Sequence, residues 1–227
     1  MSGRERVVLS WSGGKDSSLA FAALRADTRF EVAGLLTTLT RDYQRVSVHG
    51  VRRALLLEQA RLTGLPLWEM SIAAESSNAD YEAAFLAGLD TVREAAPDIS
   101  HIAFGDLFLT EIREYRERLV AGTGFRPLFP LWEQDTAQLA RRFVDEGYEA
   151  HLVCVDTTQL GAVFAGRRFD HELLADLSDE IDPCGERGEF HTFVSGGPCF
   201  DGRVECRVGE VVLRDSRFAY CDILPGQ

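Results

Sequence analysis

The chain has 227 residues, 45% of them hydrophobic, which is enough for one large domain or two small ones around a sizeable core. A formal net charge of −12 at pH 7 disfavours the basic face that a nucleic-acid footprint needs. No apolar stretch approaches the ~20 residues of a membrane span, and the opening Met-Ser-Gly-Arg-Glu-Arg lacks the apolar core of a signal peptide. The expectation is a cytoplasmic protein with neither membrane nor nucleic acid as partner.

Taken in order, residues 6–10 form a strand, and a helix follows from about 15 to 25. Residues 30–38 supply a second, β-branched strand, and 51–63 a second helix closed by Gly64 and Pro66. A third strand covers 67–72. Asn78 or Asp80 can cap a helix that puts Tyr81, Ala84, Phe85, Gly88, Leu89, Val92 and Ala96 on one face. Pro97 ends it, and 101–105 is a short buried strand. The spacing then predicts a charged helix over 110–120, with pairs such as Glu114 and Arg118 one turn apart.

Alternating strands and helices imply an α/β, doubly wound, mostly parallel sheet, whose ligands bind beyond the carboxyl ends of its strands. The loops at 12–17, 37–50 and 105–106 fall on that edge. Around 127–132, Pro-Leu-Phe-Pro-Leu-Trp suggests a boundary, giving domains 1–128 and 129–227. Beyond it, Thr136, Leu139, Ala140, Phe143 and Val144 stripe a helix, and 150–155 is one more buried strand. Short β-rich pieces at 189–194, 204–208, 210–213 and 217–223 complete a smaller α+β domain. The five cysteines (154, 184, 199, 206, 221) are odd in number and never spaced Cys-x-x-Cys, so they are read as free thiols.

The most informative segment is Ser12-Gly13-Gly14-Lys15-Asp16-Ser17, set between the first strand and the first helix. Lys15 is the only lysine in the chain; every other basic residue is arginine. Gly13 and Gly14 permit positive φ and leave no Cβ between backbone and ligand. The helix beginning near Lys15 turns unpaired N–H groups toward the same spot, an arrangement that suits phosphate. The spacing is not that of a Walker A loop. It resembles the pyrophosphate loop, Ser-Gly-Gly-x-Asp-Ser, of the PP-loop ATP pyrophosphatases, which implies a Rossmann-like (HUP) nucleotide domain, with ATP split into AMP and pyrophosphate.

Further segments widen the resemblance. His49-Gly50-Val51-Arg52 opens the second helix, and Phe104-Gly105-Asp106-Leu107 leads into Arg113-Glu114-Tyr115-Arg116. Near the end stands Asp182-Pro183-Cys184-Gly185-Glu186-Arg187-Gly188-Glu189-Phe190-His191-Thr192. Together with the Ser12–Ser17 loop these resemble the diphthine–ammonia ligase family, its bacterial members in particular, over nearly the whole chain. The resemblance implies ATP and Mg²⁺, a carboxylate acceptor that is adenylated, and ammonia that then forms an amide. Members acting on diphthine carry Glu-Gly-Gly-Glu-x-Glu-Thr in the late segment; here His191 stands where the last acid would be.

The candidate nucleotide contacts are Ser10, Ser12, Gly13, Gly14, Lys15, Asp16, Ser17, Thr37, His49, Gly105 and Asp106. Asp16 is also the candidate magnesium contact, or else a first-turn partner of the helix dipole. His49 either faces the nucleotide or caps the helix after it. Arg113, Arg116 and Thr192 are candidates for the acceptor, and Lys15, Asp16, Glu186, Glu189 and His191 for the chemistry. Glu189 and His191, two apart on a strand, would share a face, and an imidazole of ordinary pKa could take a proton from the attacking amine. A homodimer is possible. The competing readings are a tRNA-modifying PP-loop enzyme and a nucleotide sensor without catalysis.

Overall fold

The computed structural model describes residues 3–226. Strand β1 (Glu5–Ser10) lies in the middle of a mostly parallel sheet, between β2 (Phe30–Thr40) and β5 (Ile99–Ala103). Helix α1 (Lys15–Ala26) follows β1 directly. On the far edge of β2 runs β4 (Leu67–Ile72), and the two-residue β3 (Arg45–Val46) pairs antiparallel with Leu39 and Thr40, past the stretch that β1 covers. The expected α/β sheet is therefore present.

Sequence periodicity explains the layers. Along β1, Val7 and Leu9 point into one core while Val8 points into another on the opposite face. The second core is filled by helix α3 (Asn78–Ala95), through Phe85, Leu89 and Val92. A sheet buried on both faces needs such continuous apolar strands. The cap of α3 differs from expectation by one residue: Ser77 is the N-cap, and Asp80 returns its carboxylate to the Ser77 N–H in a capping box. Helix α2 (Arg53–Thr63) ends at Gly64, in the left-handed region at φ 72°.

Where punctuation suggested only a boundary, Arg126–Leu128 is a further strand, β6, parallel to β5 and preceded by helix α4 (Thr110–Val120). Pro127 is tolerated because β6 is an edge. Helix α5 (Thr136–Asp145) leads to an antiparallel sheet ordered β8-β7-β10-β9, from β7 (Glu149–Asp156), β8 (Phe190–Gly196), β9 (Cys206–Arg214) and β10 (Phe218–Pro225). The pieces expected at 204–208 and 210–213 are joined in β9, and the irregularity in its pairing with β10 is opposite Asp222. A hairpin through Asp215 and Ser216, both at positive φ, links them. Between β7 and β8 lie a single 3₁₀ turn, Ala162–Phe164, and the short helix α6 (His171–Asp176).

One apolar core joins the two sheets. Leu9, Trp11 and Leu19 from the first belong to the same cluster as Phe143, Phe169, Phe190 and Phe193 from the second. Strand β8 thus packs against the start of α1, which decides where the glycine loop sits. Among the described residues no helix is long and apolar enough to cross a membrane.

Candidate active site

The Ser12–Ser17 loop is built from both sides of the molecule. Gly13 sits at φ 77°, and its carbonyl accepts from the backbone N–H of Val194 in β8 at 2.9 Å. Gln59 of α2, fully buried, donates to the same carbonyl at 2.9 Å and to the Val194 carbonyl at 2.6 Å, while accepting from the Trp11 indole at 3.0 Å. Gly14 must be glycine for a steric reason: a Cβ there would lie 2.8 Å from the Thr192 carbonyl. Thr192 also accepts the Lys15 N–H, at 2.9 Å.

At the N-terminus of α1, Gly14 supplies no side-chain cap. Ser17 and Ser18 hydroxyls both donate to the Gly14 carbonyl. Among the described residues nothing accepts from the backbone N–H groups of Asp16 and Ser17. Two open donors at a helix N-terminus, beside the Ser12 and Ser17 hydroxyls, form a cradle of the kind that suits a phosphate. Gly105 closes it from the β5 side, where a Cβ would lie 3.0–3.2 Å from the backbone of Asp16 and Ser17.

The cradle opens into a cleft of about 710 Å³. Of the expected site residues, Ser10, Ser12, Asp16, Ser17, His49, Gly105, Asp106, Arg116, Glu186 and His191 line it. Gly13, Gly14 and Thr192 form the frame behind the loop. Lys15 also lies behind it: the side chain is 1% exposed, its ammonium pairs with the Asp16 carboxylate, and it sits 5.9 Å from the centre of the Phe169 ring. Burial works against that charge, yet Asp16 chiefly, with Cys184 and Glu186 nearby, holds the pKa of Lys15 above its ordinary value.

Three expected site residues are placed elsewhere. Arg113 lies over the rings of Phe129 and Trp132, at 4.9 and 4.7 Å, and bonds Glu117 at 2.8 Å, outside the cleft. Thr37 is buried in β2, and its neighbour Thr38 lines the cleft instead. Glu189 is fully buried just before β8 begins, so the strand rule that paired it with His191 does not reach it. Its two carboxylate oxygens accept from the backbone N–H groups of Asp182 and Arg187, each at 2.9 Å. Asp182 braces the same turn, accepting from Cys184 N–H at 2.8 Å and from the Thr136 hydroxyl at 2.8 Å.

With those acids consumed in building the turn, Glu186 is the one that reaches the cleft. It accepts from Leu107 N–H at 2.7 Å and from Phe108 N–H at 3.4 Å, tying the turn to the loop after β5. Burial, and the carboxylates of Asp16 and Asp106, push its pKa up to about 7 despite those bonds. Burial likewise raises Asp106, against the pull of Arg116, whose guanidinium lies 3.8 Å away. Arg116 donates to the Tyr81 hydroxyl at 2.8 Å and covers the Phe104 ring at 4.9 Å.

His191 stacks on His49 with ring centres 4.5 Å apart. Burial, His49 and Lys15 press the pKa of His191 down to about 3, and burial lowers His49 too, so both imidazoles are neutral near pH 7. An imidazole so perturbed accepts a proton less readily than one of ordinary pKa.

Several lining residues are not among the candidate contacts read from the sequence, although 46–48 belong to the loop expected at this edge. Asn78 and Tyr81 open α3, where Tyr81 also packs against the second core; Leu109, Ile112 and Tyr115 share a helix face with Arg116. Val46, Ser47 and Val48 come from the β3 turn, where Val48 sits at φ 67°, an uncommon setting for a β-branched residue. No described group of three His, Cys, Asp or Glu residues could hold a metal ion by itself.

Comparison with known proteins adds the following. The diphthamide synthase N-terminal domain family matches residues 5–127, and the diphthamide synthase C-terminal domain family matches residues 135–224. A diphthine–ammonia ligase of Schizosaccharomyces pombe is 28% identical over 165 residues, covering 67% of this chain and 27% of that protein. A diphthine–ammonia ligase of Danio rerio is 28% identical over 177 residues, covering 70% of this chain and 68% of that protein. The matched stretch thus spans about a quarter of the fission-yeast relative.

Proposed function

Because this chain belongs to the diphthamide synthase family, matching it through both domains, we propose that it is an ATP-dependent ligase that converts a carboxylate to an amide with ammonia. The observation that carries this reading is the placement of a helix N-terminus with open N–H donors in the same cleft as Glu186. The cradle suits the phosphates of ATP, and Glu186, near enough to Asp16 to feel its charge, presents a base in the same cleft.

The chemistry follows from what a carboxylate lacks. Its carbon is a poor electrophile because oxide is a poor leaving group. Attack of a carboxylate oxygen on the α-phosphorus of ATP makes an acyl-adenylate and expels pyrophosphate. The Asp16 and Ser17 N–H groups and the Ser12 hydroxyl would take the charge that develops on pyrophosphate, which is where electrostatic help lowers the barrier. Ammonia then attacks the acyl carbon, AMP leaves, and Glu186 takes the proton released from nitrogen. A base with pKa about 7 is well matched to that task near neutral pH.

Lys15 would act from beneath, orienting the Asp16 carboxylate through their ion pair. Magnesium, which neutralises phosphate charge when bound, would be held by Asp16 together with the phosphates, as suits an ion that keeps few protein ligands. Arg116 would orient the acceptor by its guanidinium. Because His191, neutral, stands where relatives acting on diphthine carry an acid, the acceptor proposed is a small-molecule carboxylate rather than diphthine on a protein.

The test is product identity. Incubated with ATP, Mg²⁺, ammonium and a panel of carboxylates that includes diphthine-bearing elongation factor, the protein should yield AMP and pyrophosphate in equal amounts with a small acid. ADP and phosphate as main products would refute the mechanism, and efficient amidation of the elongation factor would overturn the acceptor choice. Tight ATP binding without turnover on any acceptor would favour a sensor.

A further inference from the structure

Strand β9 is the outer strand of the antiparallel sheet, so one of its backbone edges has no neighbour among the described residues. Its inner face continues that of β10: Val211 pairs with Cys221 and Leu213 with Ala219, both buried. Val208 pairs with Ile223, also buried. The sheet overhangs its cover at this edge, leaving Val208, Val211 and Leu213 44%, 44% and 56% exposed. Val163, on the 3₁₀ turn beside β7, is 81% exposed. An unblocked edge strand with apolar side chains is a template for another strand.

The charges select the occupant. Glu210 and Arg214 are exposed, and among the described residues the side chain of neither makes a hydrogen bond or ion pair. Consider two copies of β9 laid antiparallel with Val212 opposite Val212. Glu210 then opposes Arg214 twice, and Val211 opposes Leu213 twice. Sliding by one step that preserves the faces sets Glu210 against Val212, or Val212 against Arg214. The next slide either way sets Glu210 against Glu210, or Arg214 against Arg214. Of these registers only the one centred on Val212 sets Glu210 against Arg214, while Arg207, also exposed on β9, then lies past the last β9 residue of the second copy; cross-strand pairs of opposite charge are the unit of sheet stability.

We propose that the β9 edge is a self-association surface, on which a second copy of this chain adds its own β9 antiparallel about Val212. The two antiparallel sheets merge into one, and the Val211 and Leu213 side chains cover each other. One edge-to-edge contact is at the small end of stable interfaces, so a dissociation constant of about 10 µM is expected.

Sedimentation velocity between about 2 and 200 µM at physiological salt provides the test, with thermal midpoints confirming that each variant is folded. Wild type should form dimers. Glu210→Arg and Arg214→Glu should each weaken the dimer by about tenfold or more, since each brings like charges together. The variant carrying both substitutions restores the opposite pairing and should return to within about threefold of wild type. A wild type that stays monomeric throughout, binding instead to some other partner or to none, would overturn the proposal. So would a dimer indifferent to the single substitutions, or one that the double exchange does not restore.

Discussion

The turn at 12–17 and the turn at 182–189 border the same cleft, and both are spaced by glycines. In the first, side-chain hydroxyls of Ser17 and Ser18 satisfy a carbonyl while backbone N–H groups stay open toward the cleft. In the second, backbone N–H groups are satisfied by Asp182 and Glu189, and a single side chain, Glu186, is left to face the cleft. One turn presents its backbone, the other a carboxyl group. The two acids Glu186 and Glu189 share a motif and differ in what they hold.

The sharpest way to break this contrast is substitution at those two acids. Glu186→Gln should lower acceptor-dependent turnover by about 10²-fold or more, the usual range for losing a general base, with ATP affinity kept. Equal loss of ATP affinity would place Glu186 with the phosphates instead. A pH profile sharpens the same point. With a folded pKa of about 7, above the ordinary carboxylate value, the native state holds its proton longer than the unfolded chain. The stabilising contribution is therefore complete below about pH 4.5 and lost as pH rises to about 7. Wild type should fall behind Glu186→Gln in thermal stability across that window, by about 1–3 kcal/mol at its end, while its turnover rises as the base is freed.

Glu189→Ala should instead cost about 2–4 kcal/mol of stability, because it strands the buried Asp182 N–H and the half-buried Arg187 N–H. Denaturant titration reads this directly, and a loss no larger than that of Glu186→Ala would erase the distinction between the two acids. On the other turn, Gly105→Ala pushes a methyl group against the backbone of Asp16 and Ser17. ATP affinity by calorimetry should drop by about tenfold, equivalent to about 1.4 kcal/mol, with the thermal midpoint nearly unchanged. The smallest effect belongs to Arg113→Gln, expected to alter the acceptor KM less than about twofold, within the range usual for surface changes. Arg116→Gln should raise it clearly, and reversed results would exchange the two arginines.

The first turn was legible because its parts are adjacent: strand, glycines, hydroxyls and helix start follow one another in six residues. What holds it was not legible, since Gln59 and Val194 come from distant segments and look like ordinary helix and strand residues. The second turn could be located but not apportioned. Glu189 and His191 share a parity that would matter within a strand, yet β8 starts only at Phe190. Likewise Arg113 and Arg116 stand on one charged helix. Only the packing of Phe129 and Trp132 against Arg113, and of Tyr81 against Arg116, separates them. The short strand Arg126–Leu128 was hidden by its proline, which reads as a break although an edge strand accepts it.

The central claim, that the cradle of Asp16 and Ser17 serves an adenylating cleft, is tested most directly by pyrophosphate–ATP exchange without ammonium. Adenylation is reversible, so labelled pyrophosphate should enter ATP when an accepted carboxylate is present, and Gly105→Ala should slow the exchange. Exchange that needs no carboxylate, or its absence with a carboxylate that the protein amidates, would contradict the account.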